Sequence, residues 1–204
     1  ANSLPFDLYA LGTTCERLGL PFDEDIYHRF FANKTLRVAV SNYLTYYHRP
    51  ELVDEFIALK TSHEPQYANQ IEFHQSTLFF MDRMAREKAF KLAIATGSSR
   101  TQIDDMLRKA HRGHIIDAIV TSEDYERSKP SPDAFLLAAQ KLEIMPNEAI
   151  VIEDSPAGIE AAHAAGMKCI ALTTTYDAQY LGDADLVVDT LASVDTDTIT
   201  QLAS

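Results

Sequence analysis

The chain has 204 residues, of which 46% are hydrophobic, and a formal net charge of −12. This length allows one domain of ordinary size, or a core with a smaller insert. The 18 Lys and Arg residues are scattered along an acidic chain, which argues against nucleic acid or an anionic membrane as a partner. No apolar stretch approaches the roughly 20 residues that a membrane helix needs. Cys15 and Cys169 lie far apart, so we expect two buried free thiols in a cytoplasmic protein.

The first 70 residues carry helical periodicity and predict a small bundle of about four helices. The first helix is expected to end at Gly19-Leu20-Pro21, and His48-Arg49-Pro50 separates two later helices. Two helical apolar faces are formed by Leu36, Val40, Tyr43, Leu44 and Tyr47, and by Leu52, Val53, Phe56 and Ile57. We expect residues 1–70 to form a separate helical domain.

Residues 71–204 alternate between strand and helix patterns. Apolar strands are predicted at residues 92–95, 118–120, 149–152, 169–172 and 186–188. Helical stripes between them are formed by Ile103, Met106, Leu107 and Ala110, and by Phe135, Ala138, Ala139 and Leu142. This alternation indicates a parallel sheet covered by helices on both faces, with right-handed crossovers. The predicted fold class is therefore α/β, a doubly wound parallel sheet with a helical domain before it.

A hydroxyl-rich turn follows the predicted strand at 92–95. The strand ends in Thr96, Gly97 and Ser98, whose hydroxyls and backbone N–H groups can cradle a phosphate. Gly97 would let the backbone approach such a ligand closely. The alternative is a plain strand-to-helix turn in which Ser98 or Ser99 caps the next helix.

A lysine is placed by two prolines in the segment Ser128-Lys129-Pro130-Ser131-Pro132-Asp133-Ala134-Phe135. Pro130 restricts Lys129 to an extended backbone, and Pro132 with Asp133 begins a helix. Lys129 is thus expected in a loop at the edge of the sheet. The alternative is a solvated lysine, the usual environment of this residue type.

Two carboxylates, Glu153 and Asp154, follow the predicted strand at 149–152 and precede the helix start Ser155-Pro156. Gly166 suits the end of that helix. Ligands of open α/β sheets bind at this end of the strands, and adjacent acids there are costly unless a cation joins them. The arrangement predicts a hard-metal site, with Mg²⁺ as the cation. The alternative is an exposed loop whose acids only favour the helix N-terminus.

These three segments resemble motifs of the haloacid dehalogenase (HAD) superfamily, a large family of mostly Mg²⁺-dependent phosphatases. The resemblance is to the phosphatase and β-phosphoglucomutase-like branch, which has a Rossmann-type core and an inserted helical cap. Residues 151–166 match the metal-binding motif, Thr96 ends the second motif, and Lys129 matches the lysine that neutralises the phosphate and the nucleophile. The resemblance implies a cap at residues 1–70 and a core at 71–204. It implies metal binding by Glu153 and Asp154, catalytic roles for Thr96 and Lys129, and substrate binding by Gly97 and Ser98.

The family's first motif, an apolar strand ending in Asp-x-Asp, is missing. Its first Asp is the nucleophile and its second acts as acid and base. Asp7 lacks a preceding strand, Asp23-Glu24-Asp25 indicates a helix start, and Asp195-Thr196-Asp197 follows too short an apolar run. We therefore expect an N-terminal segment upstream of Ala1 that carries the nucleophile on a central strand. Without that strand, the strands at 92–95 and 149–152 would each keep an unpaired edge.

The segment Phe31-Ala32-Asn33-Lys34-Thr35-Leu36-Arg37 resembles the family's specificity loop in the cap. Asn33 stands in the place of a glycine, and Asn tolerates a positive φ best after Gly. Lys34 and Arg37 are expected to reach the substrate's polar or phosphate groups, or else to be two exposed basic residues at a helix start. A second departure is His74-Gln75, where relatives commonly have Pro-Gly; we expect His74 to be structural.

The resemblance implies a Mg²⁺-dependent phosphatase of a small phosphorylated metabolite, acting through an aspartyl phosphate, as a monomer or homodimer. One alternative is a phosphosugar mutase on the same scaffold. The other is a non-catalytic protein that binds Mg²⁺ and phosphate and lacks the nucleophile.

Overall fold

The computed structural model describes residues 4–32, 34, 36–68, 73–87 and 90–203. The chain divides into two compact units, Ala1–Ile71 and Glu72–Ser204. Each unit has a hydrophobic core of its own. No helix in the described ranges is both long and apolar enough to cross a membrane.

The N-terminal unit is helical, as predicted. Its elements are α1 (Leu4–Arg17), α2 (Glu24–Ile26), a π-helical turn (Tyr27–Phe31), α3 (Leu36–Tyr46), a 3₁₀ turn (Pro50–Leu52) and α4 (Val53–Ala68). Tyr43 lies at the centre of the core, where its ring packs on Phe30, Phe31 and Phe56 and its hydroxyl donates to the Pro21 carbonyl. The predicted apolar faces of α3 and α4 are thus the faces that pack together.

Two of the rejected nucleophile candidates serve the helices of this unit. Asp7 lies inside α1 and forms an ion pair with Lys60 at 2.8 Å. Asp23 caps α2, since its Oδ1 accepts a hydrogen bond from the Ile26 amide at 2.7 Å. The third candidate, Asp195, accepts hydrogen bonds from the amide and the hydroxyl of Thr198, at the start of the helix Thr196–Ala203.

The C-terminal unit alternates strands and helices. Its elements are α5 (Gln75–Arg86), β1 (Ala93–Ala95), α6 (Arg100–Ala110), β2 (Ala118–Val120), α7 (Asp133–Leu142), β3 (Ile150–Glu153), α8 (Pro156–Ala164), β4 (Lys168–Leu172), β5 (Leu186–Val188) and α9 (Thr196–Ala203). Short 3₁₀ turns lie at Gly113–Ile115, Pro146–Glu148, Ala178–Tyr180 and Leu191–Ser193. All five predicted strands are confirmed, each with ends within a residue or two of those expected.

Strand β4 shows why the fold is doubly wound. Its residues alternate between two faces. Cys169 and Ala171 pack in one cluster with α7 and α8, whereas Ile170 and Leu172 pack in another with α5 and α9. Helices therefore cover both faces, as predicted from the alternating pattern.

The strands form two separate parallel sheets, β1–β2 and β3–β4–β5. In register, Ala95 lies beside Val120, and Glu153 lies beside Ala171. No strand in the described part of the chain joins β1 to β3, so each of these strands has one unpaired edge. This is the break expected if a strand between them is missing.

Candidate active site

The turn from β3 into α8 brings a carboxylate into the core. Because side chains alternate along a strand, Glu153 shares a face with Val151 and is only 9% exposed. Ser155 then caps α8 by accepting the Gly158 amide at 3.1 Å, and Pro156 is the first helical residue. Gly166, with φ +76°, ends the helix, as predicted.

Glu153 and Lys129 form an ion pair at this turn. Oε1 of Glu153 accepts from Nζ of Lys129, and Oε2 accepts from the Asp154 amide and the Ser155 hydroxyl, both at 3.1 Å. The Lys129 side chain is 22% exposed, and its Nζ lies 4.6 Å from the ring centroid of Phe135. A buried carboxylate needs such partners. Lys129 is therefore paired and mostly buried rather than solvated.

The loop that carries Lys129 is held on both sides. Arg127 donates two hydrogen bonds to Asp133, at 2.9 and 2.7 Å, and Ser131 donates a third to Asp133 at 2.8 Å. Hydrogen bonds from Arg127 and then Ser131 lower the pKa of Asp133. Since Arg127 precedes Lys129 and Asp133 begins α7, this clamp fixes the loop from which the lysine projects.

Asp154 is placed differently from Glu153. It is half-buried, and its Oδ2 accepts a hydrogen bond from the Thr175 hydroxyl at 2.7 Å. Among the residues that the structure describes, Asp154 has no ion pair with a Lys, Arg or His. The charge of Glu153 is thus neutralised by a lysine, whereas the charge of Asp154 is not.

Thr96 follows β1 in a tightly bonded turn. Its amide donates to Val120 at 3.0 Å, its hydroxyl accepts from the Ser98 amide at 3.1 Å, and its carbonyl accepts from the Tyr125 hydroxyl at 3.1 Å. Burial raises the pKa of Tyr125. The Ser98 carbonyl in turn accepts a hydrogen bond from the Ser122 amide at 3.1 Å, which links the loops after β1 and β2.

The turn after β1 also settles the capping alternative. Ser99, not Ser98, caps α6, in a capping box with Gln102. Gly97 is exposed and has no left-handed φ, and a Cβ there would meet only the Tyr125 hydroxyl, at 4.0 Å. No packing contact in this structure therefore requires a glycine at position 97. The role of Gly97 in ligand binding stays a prediction.

The two basic residues predicted for substrate binding lie in the N-terminal unit. Lys34 is exposed and donates to the Arg29 carbonyl at 3.1 Å. Arg37 pairs with Asp54 at 2.9 Å, with side chains 66% and 86% exposed. Asn33, predicted to take the place of a glycine in this loop, lies outside the described residues, as does Thr35. His74 precedes α5 and makes no side-chain capping bond to that helix.

Few side chains at this turn could be ligands of the predicted metal. Within the described ranges, no group of three or more His, Cys, Asp or Glu side chains is placed to hold an ion. Mg²⁺, however, keeps several waters and uses one or two protein carboxylates together with substrate phosphate. Asp154, held by the Thr175 hydroxyl and without a basic partner in the described part of the chain, fits one such ligand.

Three residues of this site, Gly158, Tyr125 and Thr175, were not predicted as site residues from the sequence. Gly158 leaves the space that the Glu153 side chain fills, and a glycine inside a helix was the available signal. The Tyr125 hydroxyl donates a hydrogen bond to the Thr96 carbonyl, and the Thr175 hydroxyl donates one to the Asp154 carboxylate. Nothing local distinguishes Thr175 from its neighbours Thr173 and Thr174.

The family model for haloacid dehalogenase-like hydrolases matches residues 1–172. The chain belongs to this family. Validoxylamine A 7'-phosphate phosphatase of Streptomyces hygroscopicus subsp. limoneus is 30% identical over 181 residues, which cover 87% of this chain and 83% of that protein. Hexitol phosphatase A of Escherichia coli is 42% identical over 78 residues, but these span only 38% of this chain and 36% of that protein.

The fold of this HAD-like chain is also found among solved structures. CbbY from Rhodobacter sphaeroides, solved in complex with phosphate, superposes with a TM-score of 0.79. The match covers 98% of this chain and 94% of CbbY at 23% identity. This likeness shows the HAD-like α/β fold with its helical cap.

Proposed function

We propose that this protein is a Mg²⁺-dependent phosphatase of a small phosphorylated metabolite. The observation that carries the proposal is the Lys129–Glu153 pair directly beside Asp154, at the carboxyl end of β3. It supplies a fixed ammonium for phosphoryl oxygens and an adjacent carboxylate for a metal ion, the main requirements of phosphoryl transfer. Family membership and two relatives named as phosphatases support the same reaction class.

Each predicted site residue has a role in this proposal. Lys129, the Thr96 hydroxyl and the Gly97–Ser98 turn would bind and orient the phosphoryl oxygens. Asp154 would be a direct metal ligand. Glu153, predicted from the sequence as a second ligand, would instead hold Lys129 in place through the ion pair. Mg²⁺, when bound, neutralises charge on the phosphoryl oxygens.

The nucleophile is proposed to be an Asp upstream of Ala1, on a strand that pairs with β1 and β3. The unpaired edges of these two strands support this position, and Asp7, Asp23 and Asp195 are already used in helices. The Asp carboxylate would form a bond to phosphorus as the bond to the substrate oxygen breaks. That oxygen would take a proton from a second Asp, and water would then hydrolyse the aspartyl phosphate. The encoding gene tests this directly, since an apolar run ending in Asp-x-Asp should precede Ala1.

The substrate is proposed to contact the N-terminal unit through Lys34 and Arg37. Both are exposed basic side chains at the start of α3, and a phosphorylated metabolite is anionic. The protein would act in the cytoplasm, where small phosphorylated metabolites are found.

Product analysis tests the proposed reaction. The full-length protein is incubated with 4-nitrophenyl phosphate and with hexose 1-phosphates, with and without Mg²⁺. We expect inorganic phosphate from these substrates only when Mg²⁺ is present. An isomeric hexose phosphate without phosphate release would instead identify a mutase, and binding without turnover would identify a non-catalytic protein. Either result contradicts the proposal.

A further inference from the structure

We propose that Thr175 is a positioning residue for Asp154: its hydroxyl holds the carboxylate in one orientation and leaves Oδ1 to bind a divalent cation. The inference rests on the proposed function, because it takes Asp154 as a ligand of Mg²⁺. Thr175 lies outside the three sequence motifs, in the segment that follows β4.

The contact arises from the sheet. Strands β3 and β4 are parallel neighbours, with Glu153 beside Ala171, so the segments that follow them leave the same edge of the sheet. Asp154 is the first residue after β3, and Thr175 is the third after β4. Their side chains meet there, with Oγ1 of Thr175 2.7 Å from Oδ2 of Asp154. Both residues are half-buried, so the hydrogen bond is partly protected from solvent.

The chemistry of the donor is what makes this contact suit a metal ligand. A threonine hydroxyl donates one hydrogen bond and carries no charge. It can fix the carboxylate without neutralising it, in contrast to Lys129, which neutralises Glu153. Outer-shell hydrogen bonds of this kind orient metal ligands, and their removal typically weakens metal binding 10–100-fold.

The same segment provides a matched control. Thr173 also donates a side-chain hydrogen bond to an aspartate, Oδ1 of Asp189, at 2.9 Å. That hydrogen bond is exposed, and it joins none of the proposed site residues. Thr173→Val therefore removes an equivalent threonine–aspartate bond two residues away from Thr175.

Metal binding to the full-length protein is measured by titration calorimetry with MgCl₂, without substrate. The proteins compared are wild type, Thr175→Val, Thr175→Ser, Thr173→Val and Asp154→Asn, each also melted without metal. We expect Thr175→Val to weaken Mg²⁺ binding by about tenfold. Thr175→Ser and Thr173→Val should bind as wild type does, and Asp154→Asn should lose binding. If Thr175→Val does not fold, Thr175→Ala removes the same hydroxyl and has the same expected effect.

The outcomes separate this inference from the proposed function. Wild-type affinity in Thr175→Val, while Asp154→Asn loses binding, overturns the role of Thr175 and keeps Asp154 as the ligand. Equal weakening in Thr175→Val and Thr173→Val also overturns it, because the effect would not be specific to Asp154. No Mg²⁺ binding by wild type overturns the metal site itself, and with it the proposed function.

Discussion

At the scale of single residues, Gly158 permits the buried charge pair. A Cβ at this position would overlap with Cδ and Oε2 of Glu153, because the glutamate side chain packs against the first turn of α8. The same carboxylate has its hydrogen bonds to Lys129, to the Asp154 amide and to Ser155. Any displacement of Glu153 would therefore disturb the lysine as well.

Gly158→Ala is expected to destabilise the protein by about 1–3 kcal/mol, since the new methyl group forces the packed Glu153 side chain to move. The measurement is the free energy of unfolding in urea. Gly182→Ala is the matched control, because Gly182 has nothing within 4 Å of its Cβ position and an ordinary φ. Equal effects of the two substitutions would contradict the account of Gly158.

Lys129→Met should cost more, about 3–5 kcal/mol, because it leaves the Glu153 carboxylate buried without its cation. The double variant Lys129→Met/Glu153→Gln should recover part of this loss, since no buried charge then remains. Urea unfolding of Lys129→Met, Glu153→Gln and the double variant provides the measurement. A double variant as unstable as the sum of the two single variants would show that the residues are not coupled.

At the scale of elements, Asp185 ties together α8, β4 and the segment before β5. Its carboxylate accepts hydrogen bonds from Nζ of Lys168 and the Cys169 amide, both at 2.8 Å, and lies 3.0 Å from Nε2 of His163. Burial acts to raise the pKa of Asp185. The hydrogen bonds from Lys168, from the Cys169 amide and from His163 outweigh it and hold this pKa well below its usual range.

A depressed pKa in the folded state sets the sign of the pH dependence. The contribution of Asp185 to stability is fully present above its unfolded pKa of about 3.9, and it is lost as the pH falls below that value. Asp185→Asn should therefore lower stability by about 1–2 kcal/mol at pH 7. In this variant the free energy of unfolding should also decrease less than in wild type as the pH falls below 4. The free energy of unfolding in urea, measured from pH 7 to below pH 4, tests both effects. Asp183→Asn is the control, because Asp183 is exposed. If this free energy changes with pH in parallel for wild type and Asp185→Asn, the assignment is contradicted.

At the scale of the whole molecule, each of the two units contains one buried free cysteine. Cys15 lies in the N-terminal unit and Cys169 in the C-terminal unit, and neither is exposed. Burial raises the pKa of Cys15 to about 11 and that of Cys169 to about 12. Because the thiolate is the reactive form, both thiols should be inert in the folded protein.

Thiol titration with an aromatic disulfide reagent at pH 8 should show no fast reaction in the native protein and two reactive thiols in urea. Mass spectrometry after partial unfolding would report which unit opens first. Fast labelling of either cysteine in the native state would contradict the burial of that unit's core.

Most of the fold could be predicted because it depends on local patterns. The apolar runs at 118–120 and 186–188 coincide with β2 and β5, and the alternation of strands with helices predicted the parallel ladders. The break between β1 and β3 was also expected, since the sequence shows no apolar strand to fill it.

The contacts of the site were less predictable because they join distant segments. Lys129 and Glu153 are 24 residues apart, and their pairing depends on how α7 and α8 pack on the sheet. The bond from Thr175 to Asp154 depends on the register of β3 with β4. The motif around Lys129 indicates a positively charged side chain near the site, but it does not indicate that this side chain forms an ion pair with Glu153.

Asp154 is proposed to bind the Mg²⁺ used for phosphoryl transfer. The most direct measurement is inorganic phosphate release by the full-length protein as a function of Mg²⁺ concentration, for wild type, Asp154→Ala and Asp183→Ala. Asp183 is an exposed acid of the same unit and serves as the control. We expect Asp183→Ala to match wild type and Asp154→Ala to lose Mg²⁺-dependent release. Full activity in Asp154→Ala, with an unchanged response to Mg²⁺, would contradict the claim.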